Sequence, residues 1–168
     1  MRITLAILLL LGFGACAPDT DEPPPQALPP VRSAPTDTTT TARADLPTIR
    51  LVKTPACGCC TLWGERMREA GFLVAMEDVP DLRPIREEHG VPGELTACHT
   101  AFVDGYVVEG HVPAEAVMRL LDERPDVTGI AVAGMPIGSP GMEVEGAEPH
   151  RYDVIAFGPQ GRSVYASY

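Results

Sequence analysis

Aromatic residues are scarce in this chain, at 5% of its 168 positions, and only one of them is tryptophan. The apolar fraction is nonetheless 45%, enough material for one core and, at this length, one domain. Basic residues are also short: 13 Lys and Arg stand against 23 Asp and Glu, for a formal charge of -10. A nucleic-acid phosphate backbone is therefore excluded as a natural partner. No apolar run is long enough to span a bilayer comfortably, since the longest, Ile3 to Ala15, stops short. There is no internal repeat. There is one C-x-x-C pair and no second knuckle, which sets the chain apart from zinc ribbons, and ferredoxin spacings are absent.

The short apolar run has a meaning of its own. Arg2 supplies a positive start, Ile3 to Ala15 fits the apolar stretch of an export signal, and Phe13-Gly14-Ala15-Cys16 looks like a bacterial lipobox. Residues 1–15 are expected to be a signal peptide and Cys16 the lipidated first residue of the mature chain. Ordinary cleavage leaving a free Cys16 is the alternative, disfavoured because an exposed unpaired thiol is a liability in an oxidising compartment. Ala17 after Cys16 points to the outer membrane, facing the periplasm. Residues 16–45 then form a tether. Its Pro23-Pro24-Pro25, Pro29-Pro30 and Thr38 to Thr41 cannot bury enough apolar area to offset ordering entropy. The folded domain is expected over residues 46–168.

Within that domain the apolar pattern predicts a strand over Thr48 to Lys53, a helix over Thr61 to Ala70 and a strand over Phe72 to Met76. A short helix over Asp81 to His89 follows. Thr100 to Val103 and Tyr106 to Glu109 flank Asp104-Gly105, a strong hairpin signal. Pro113 to Arg124 reads as a helix with Val117, Leu120 and Leu121 on one face. Val127 to Met142 reads as an ordered loop, and Tyr152 to Phe157 with Ser163 to Tyr168 as a last pair of strands. The class is α/β: a thioredoxin-like β-α-β-α-β-β-α core with an additional C-terminal loop and β-hairpin.

The chemistry concentrates in Cys57-Gly58-Cys59-Cys60, between the first strand and the helix it feeds. A plain dithiol oxidoreductase needs two thiols there, and this motif has three. A helix N-terminus carries unpaired N–H groups and partial positive charge, which stabilise thiolates. Buried structural cysteine is the bland alternative, and three cysteines around a glycine in an exported chain argue against it. Cys98-His99 precedes the hairpin, a junction that faces the cysteine motif in a thioredoxin-like arrangement. A cis-proline usually sits near that junction, but no proline immediately precedes the strand. Cys98 and His99 would close a coordination shell with the upstream thiols. The alternatives are a disulfide role for Cys98 and a backbone-satisfied strand-edge role for His99. Two structural disulfides would crowd one corner, and Cys59-Cys60 would be a strained vicinal pair. His111 can serve as a ligand, as a partner holding a ligand in place, or as a helix-entry residue.

Met135 and Met142 bracket a Gly/Pro-rich loop, where a soft thioether suits Cu(I) but can equally pack the loop down. Met67, Met76 and Met118, on regular elements, read as core, as does Trp63. Glu87-Glu88 and Asp122-Glu123 read as solvated helix faces. Four thiols with thioether and imidazole help suit Cu(I), Zn²⁺ or an iron–sulfur cluster. An exported chain with clustered cysteine and methionine points to copper, and adjacent thiolates can bridge more than one ion.

These motifs taken together resemble the CopG-type periplasmic copper-resistance proteins. They are Thr54-Pro55-Ala56-Cys57-Gly58-Cys59-Cys60, Trp63, Gly90-Val91-Pro92, Cys98-His99-Thr100-Ala101, Gly105-Tyr106 and Glu109-Gly110-His111-Val112-Pro113. Gly134-Met135-Pro136, Gly138-Ser139-Pro140-Gly141-Met142-Glu143 and Tyr152-Asp153-Val154 complete the set. The resemblance covers nearly all of residues 46–168. It implies a thioredoxin-like domain that binds copper through Cys57, Cys59, Cys60 and Cys98 with His or Met help. It also implies a role in copper handling that includes interconversion of Cu(I) and Cu(II). The expected function is periplasmic Cu(I) buffering or redox interconversion in copper resistance, with copper efflux components as candidate partners. Metal-free thiol–disulfide exchange and copper transfer without redox change are the alternatives.

Overall fold

The computed structural model describes residues 46–168. The expected signal peptide, Cys16 and the tether lie outside the described residues. In chain order the elements are β1 (Ile49–Lys53), α1 (Gly58–Glu69), β2 (Val74–Asp78), α2 (Arg83–Glu88), a 3-10 turn (Gly93–Leu95), β3 (His99–Val103), β4 (Tyr106–Glu109), α3 (Ala114–Glu123), β5 (Gly129–Ala131), β6 (Asp153–Gly158) and β7 (Gly161–Ser167). They form one seven-stranded sheet in the order β2-β1-β3-β4-β5-β6-β7. β1 runs parallel to β2 and antiparallel to β3, which is antiparallel to β4. This is the thioredoxin-like core that the order of elements predicted.

The two faces of the sheet carry different helices. Ile49 and Leu51 of β1, Ala101 and Val103 of β3 and Val108 of β4 share one apolar cluster with Trp63 and Met67 of α1 and Val117 and Leu120 of α3. Val107, Ala131 and Phe157 point to the opposite face and cluster with Val91 and Leu95, from the segment after α2. The alternation follows from the period-2 geometry of a strand. α1 buries Trp63 and Met67, four residues apart, whereas Leu62 of the same helix is 46% exposed. Asp104 and Gly105, both at positive φ, form the two-residue turn between β3 and β4.

Several boundaries differ from the sequence reading, each for a tertiary reason. α1 begins at Gly58 rather than Thr61, so Cys59 and Cys60 stand inside its first turn. β2 occupies Val74–Asp78 rather than Phe72 to Met76, because parallel pairing sets Ile49 opposite Val74 while Phe72 turns into the core. The stretch Val127 to Met142 is not wholly loop. Gly129–Ala131 pairs in parallel with Val107–Glu109 of β4 and antiparallel with Ile155–Phe157 of β6, so the last hairpin continues the sheet through β5. A three-residue strand that starts with glycine carries no periodicity to read, and only its neighbours define it. Among the described residues no helix is long and apolar enough to cross a membrane.

Gly110 closes the end of β4. Its φ is +73, and a Cβ there would lie 2.5 Å from the Val132 carbonyl oxygen and 2.6 Å from the Ala97 Cβ. Its N–H donates to the His99 carbonyl at 3.0 Å. Gly110→Ala is expected to destabilise the domain by about 2 kcal/mol or more, from the left-handed strain and the clash together. Urea denaturation measures this, and coincident transitions for variant and parent would contradict it.

Candidate metal centre

The site forms where two chain segments meet at one end of β1 and β3. Their antiparallel register places Lys53, the last residue of β1, opposite His99, the first of β3. The chain leaving β1 turns through Thr54, whose carbonyl accepts the Cys57 N–H at 3.1 Å, and enters α1. Cys57 takes the N-cap position with extended backbone, followed by Gly58, Cys59 and Cys60 in the first turn. The chain entering β3 brings Cys98 to the same corner. Sequence-distant sulfurs therefore converge because strand pairing brings their flanking ends together.

The geometry is close. Cys57 and Cys60 form a disulfide, and Cys59 and Cys98 are free thiols. Cys59 Sγ lies 3.6 Å from Cys57 Sγ and 3.7 Å from Cys98 Sγ. The Sγ atoms of Cys57, Cys59, Cys60 and Cys98 all fall within 4.8 Å of one another. A second group shares Cys98: its sulfur and ring nitrogens of His99 and His111 also fall within 4.8 Å of one another. Burial first, and then the adjacent Cys59 sulfur, pushes the Cys98 thiol up to about 12. Cys98 is thus protonated at neutral pH in the metal-free protein.

The two histidines differ in how they are held. His111 Nδ1 lies 2.8 Å from the Pro140 carbonyl, a pure acceptor, so Nδ1 carries the proton. Nε2 then presents its lone pair to Cys98 Sγ at 2.9 Å. A carbonyl on one nitrogen that aims the other is the usual way a metal-ligating histidine is oriented. Burial holds His111 below its ordinary value and so favours this neutral form. His99 is fully buried, with Nδ1 3.5 Å from Cys98 Sγ. Its Nε2 is the buried side-chain polar atom without a hydrogen-bond partner among the described residues. A buried nitrogen left without a partner is costly unless something occupies its lone pair. The donor set of thiols and imidazoles fits a soft or borderline cation.

The loop that was expected to offer methionines contributes mainly backbone. Met135 is 54% exposed, and Met142, directly after Gly141, is half-buried. The loop touches the site through Pro140 and Gly141. At Gly141, with φ +82, a Cβ would lie 2.6 Å from the Trp63 nitrogen and 2.8 Å from the Cys59 carbonyl oxygen, so only glycine lets the loop rest on the first turn of α1. Glu143 fastens it, accepting the Gly141 N–H and the Arg66 Nε–H, each at 2.8 Å. Trp63, expected as packing, is buried and also sets its ring 4.6 Å from that of His99. Nothing in residue spacing marks the Pro140 carbonyl; the clustering of glycine and proline around it was the available signal.

The fold and the paired donor groups define a thioredoxin-like protein whose C-x-x-C corner has been expanded into a cysteine–histidine centre. The comparisons agree on the fold and the family. Two solved structures, both named as the copper resistance protein CopG, in Form 2 and Form 1, match with TM-scores of 0.70 and 0.69 at 39% sequence identity. Each match covers 74% of this chain and 99% or 98% of the other. The chain belongs to the CopG family. Residues 95–142 also match a family described as protein of unknown function, DUF411. No curated protein sequence matches the chain.

The buried histidine yields a pH prediction for the metal-free protein. Burial first, then the nearby His111 and Arg86, hold His99 well below the usual value near 6.5. The unfolded chain does take up that proton, so below about pH 6.5 it binds more protons than the folded state and stability falls with pH. Replacing His99→Gln is expected to flatten the fall between about pH 7 and pH 5 by up to about 1.4 kcal/mol per pH unit. Urea denaturation at each pH reads this out, and parallel pH curves would refute it.

Proposed function

We propose that this protein acts in copper resistance by binding Cu(I) as its cargo through Cys57, Cys59, Cys60 and Cys98, with His99 and His111 completing the donor set. The observation that carries this reading is the double convergence on Cys98, which belongs both to the four-sulfur group and to the group with His99 and His111. A thiolate shared between two donor groups suits bridging, so the site takes more than one copper ion. The names of the two solved relatives, copper resistance proteins, support copper as the metal. Met135 and Met142 are retained as outer candidates on the loop at the mouth of the site. The expected signal peptide and lipidated Cys16 would place the domain in the periplasm, tethered to the outer membrane, where copper efflux components are the natural recipients.

The residues have distinct tasks in this reading. The N-terminus of α1 favours negative charge on the sulfurs at its first turn. Pro140 holds the proton on His111 Nδ1 and leaves Nε2 free to bind. Cys98 must give up its proton when it becomes a ligand, so cation uptake near neutral pH releases protons. Reduction of the Cys57–Cys60 disulfide exposes the other two donors and makes full capacity depend on redox state. Bound copper would supply one-electron redox chemistry, and buffering or Cu(I)/Cu(II) interconversion are the two forms this role takes.

One observation favours a second reading. The Cys57–Cys60 disulfide has the spacing and helix position of a thiol–disulfide oxidoreductase. That reading requires turnover of a model disulfide with metal rigorously excluded.

The first reading is tested by titrating the reduced protein with Cu(I) under anaerobic conditions. Trp63 is the sole tryptophan and lies against His99, so its fluorescence should be quenched as the site fills. A Cys59→Ser, Cys60→Ser variant should bind more weakly by over about a hundredfold, more than the loss usual for a residue that only supports a ligand. Equal tight binding by both proteins would end the assignment. Uptake in weak buffer near neutral pH should acidify the solution; no proton release would exclude Cys98 as a ligand.

A further inference from the structure

Glu109, at the end of β4, is a carboxylate with no exposed surface, and Arg86 of α2 is its ion-pair partner at 2.8 Å. Neither lies among the sulfurs. Thr100 and Glu109 are directly opposed in the β3–β4 register and point to the sheet face that packs under α2. His99, one residue earlier in β3, points to the other face, where its ring meets Trp63. The ion pair therefore sits behind the strand that bears Cys98 and His99.

Its hydrogen bonds all go to the residues on either side of that pair. Glu109 Oε1 accepts the Ala97 N–H at 2.8 Å, and Oε2 accepts the Thr100 hydroxyl at 2.6 Å. Arg86 Nη2 donates to the Ala97 carbonyl at 2.6 Å, and its Nε donates to Thr100 Oγ1 at 3.3 Å. Both peptide groups of Ala97 and the side chain of Thr100 are thus captured, with Cys98 and His99 between them. The neighbour of Glu109 adds another tie, as the Gly110 N–H donates to the His99 carbonyl at 3.0 Å.

We propose that Arg86 and Glu109 are positioning residues: their buried ion pair clamps the backbone at residues 97 and 100, and so fixes where Cys98 and His99 stand relative to Cys59 and His111. Stability alone does not account for such a pair. Taking both charges out of water is costly, and a well-packed apolar pair in the same volume is often as stable or more so. What apolar side chains cannot supply is a set of directed, charge-assisted bonds to chosen backbone atoms. The site needs that direction, because Cys98 Sγ must meet Cys59 Sγ at 3.7 Å and His111 Nε2 at 2.9 Å at once. That these residues bind metal rests on the preceding reading; the spacing of the two free thiols does not.

The test uses a probe other than copper. Phenylarsine oxide chelates two thiols only when they are close. In the full chain with Cys57→Ser and Cys60→Ser, Cys59 and Cys98 are the remaining cysteines of the described residues. Into this background an Arg86→Met, Glu109→Leu pair is introduced, with Arg86→Lys and Glu109→Gln as single variants. The apolar pair should keep the thermal midpoint close to that of the background protein. Its capture of the arsenical should weaken by about tenfold to a hundredfold, the loss usual when a ligand's support is removed. Glu109→Gln, which keeps an acceptor for Ala97 N–H, should recover part of that loss. Capture by the apolar pair equal to the background overturns the proposal. If the apolar pair does not fold, unchanged capture by both single variants overturns it instead. Weakened capture by the apolar pair, in a chain whose unsubstituted form ignores Cu(I), would leave the clamp standing and remove only the copper reading.

Discussion

The site rests on one strand pairing. Antiparallel register between β1 and β3 sets Lys53 opposite His99 and thereby puts the exit from β1 beside the entry to β3. Every short sulfur contact across the chain depends on that adjacency, including Cys59 Sγ to Cys98 Sγ and the approach of the disulfide-bonded Cys60 Sγ to the Cys98 carbonyl oxygen at 3.5 Å. Because side chains alternate across a sheet, a slip of one residue would turn His99 toward α2 and Thr100 toward Trp63, reversing both faces. The core guards against that slip: Ala101 and Val103 share the α1 and α3 cluster, while Phe102 packs on the other side. Hydrophobic patterning and the geometry of the candidate site are therefore one constraint.

Around that pairing the molecule divides labour by face. The α1 face carries the donors and the apolar cluster beneath them. The α2 face carries a buried carboxylate and guanidinium that reach the same strand only through backbone. The loop after β5 closes the third side, with Pro140 aiming His111 and Gly141 resting on α1. Much of the site is thus defined by peptide carbonyls and N–H groups, which every residue possesses and which leave no mark on composition.

That difference explains how the sequence reading fared. The cysteine motif was legible because three sulfurs in four residues at a strand-to-helix junction have few uses. Trp63, Met67, Val117 and Leu120 were legible as core through helical spacing, and the Asp104-Gly105 turn through its chemistry. β5 was not legible, because three residues show no period and its identity comes from β4 and β6. Arg86 lay next to Glu87-Glu88, which are exposed as expected, and nothing local distinguishes a solvated arginine from one reaching a buried partner. Glu109 closes an apolar run, where its burial is met by the Thr100 hydroxyl, the Ala97 N–H and Arg86 arriving from a separate helix.

By itself the sequence determined the chemistry of the candidate donors and the order of the elements from β1 to α3, since residue identity sets ligand softness and local periodicity sets helix or strand. Only the tertiary structure decided which donors meet, which histidine nitrogen is left open and what holds Cys98 in place. Those are distances between segments far apart in the chain, and they come from strand register and long-range packing, which no local pattern encodes.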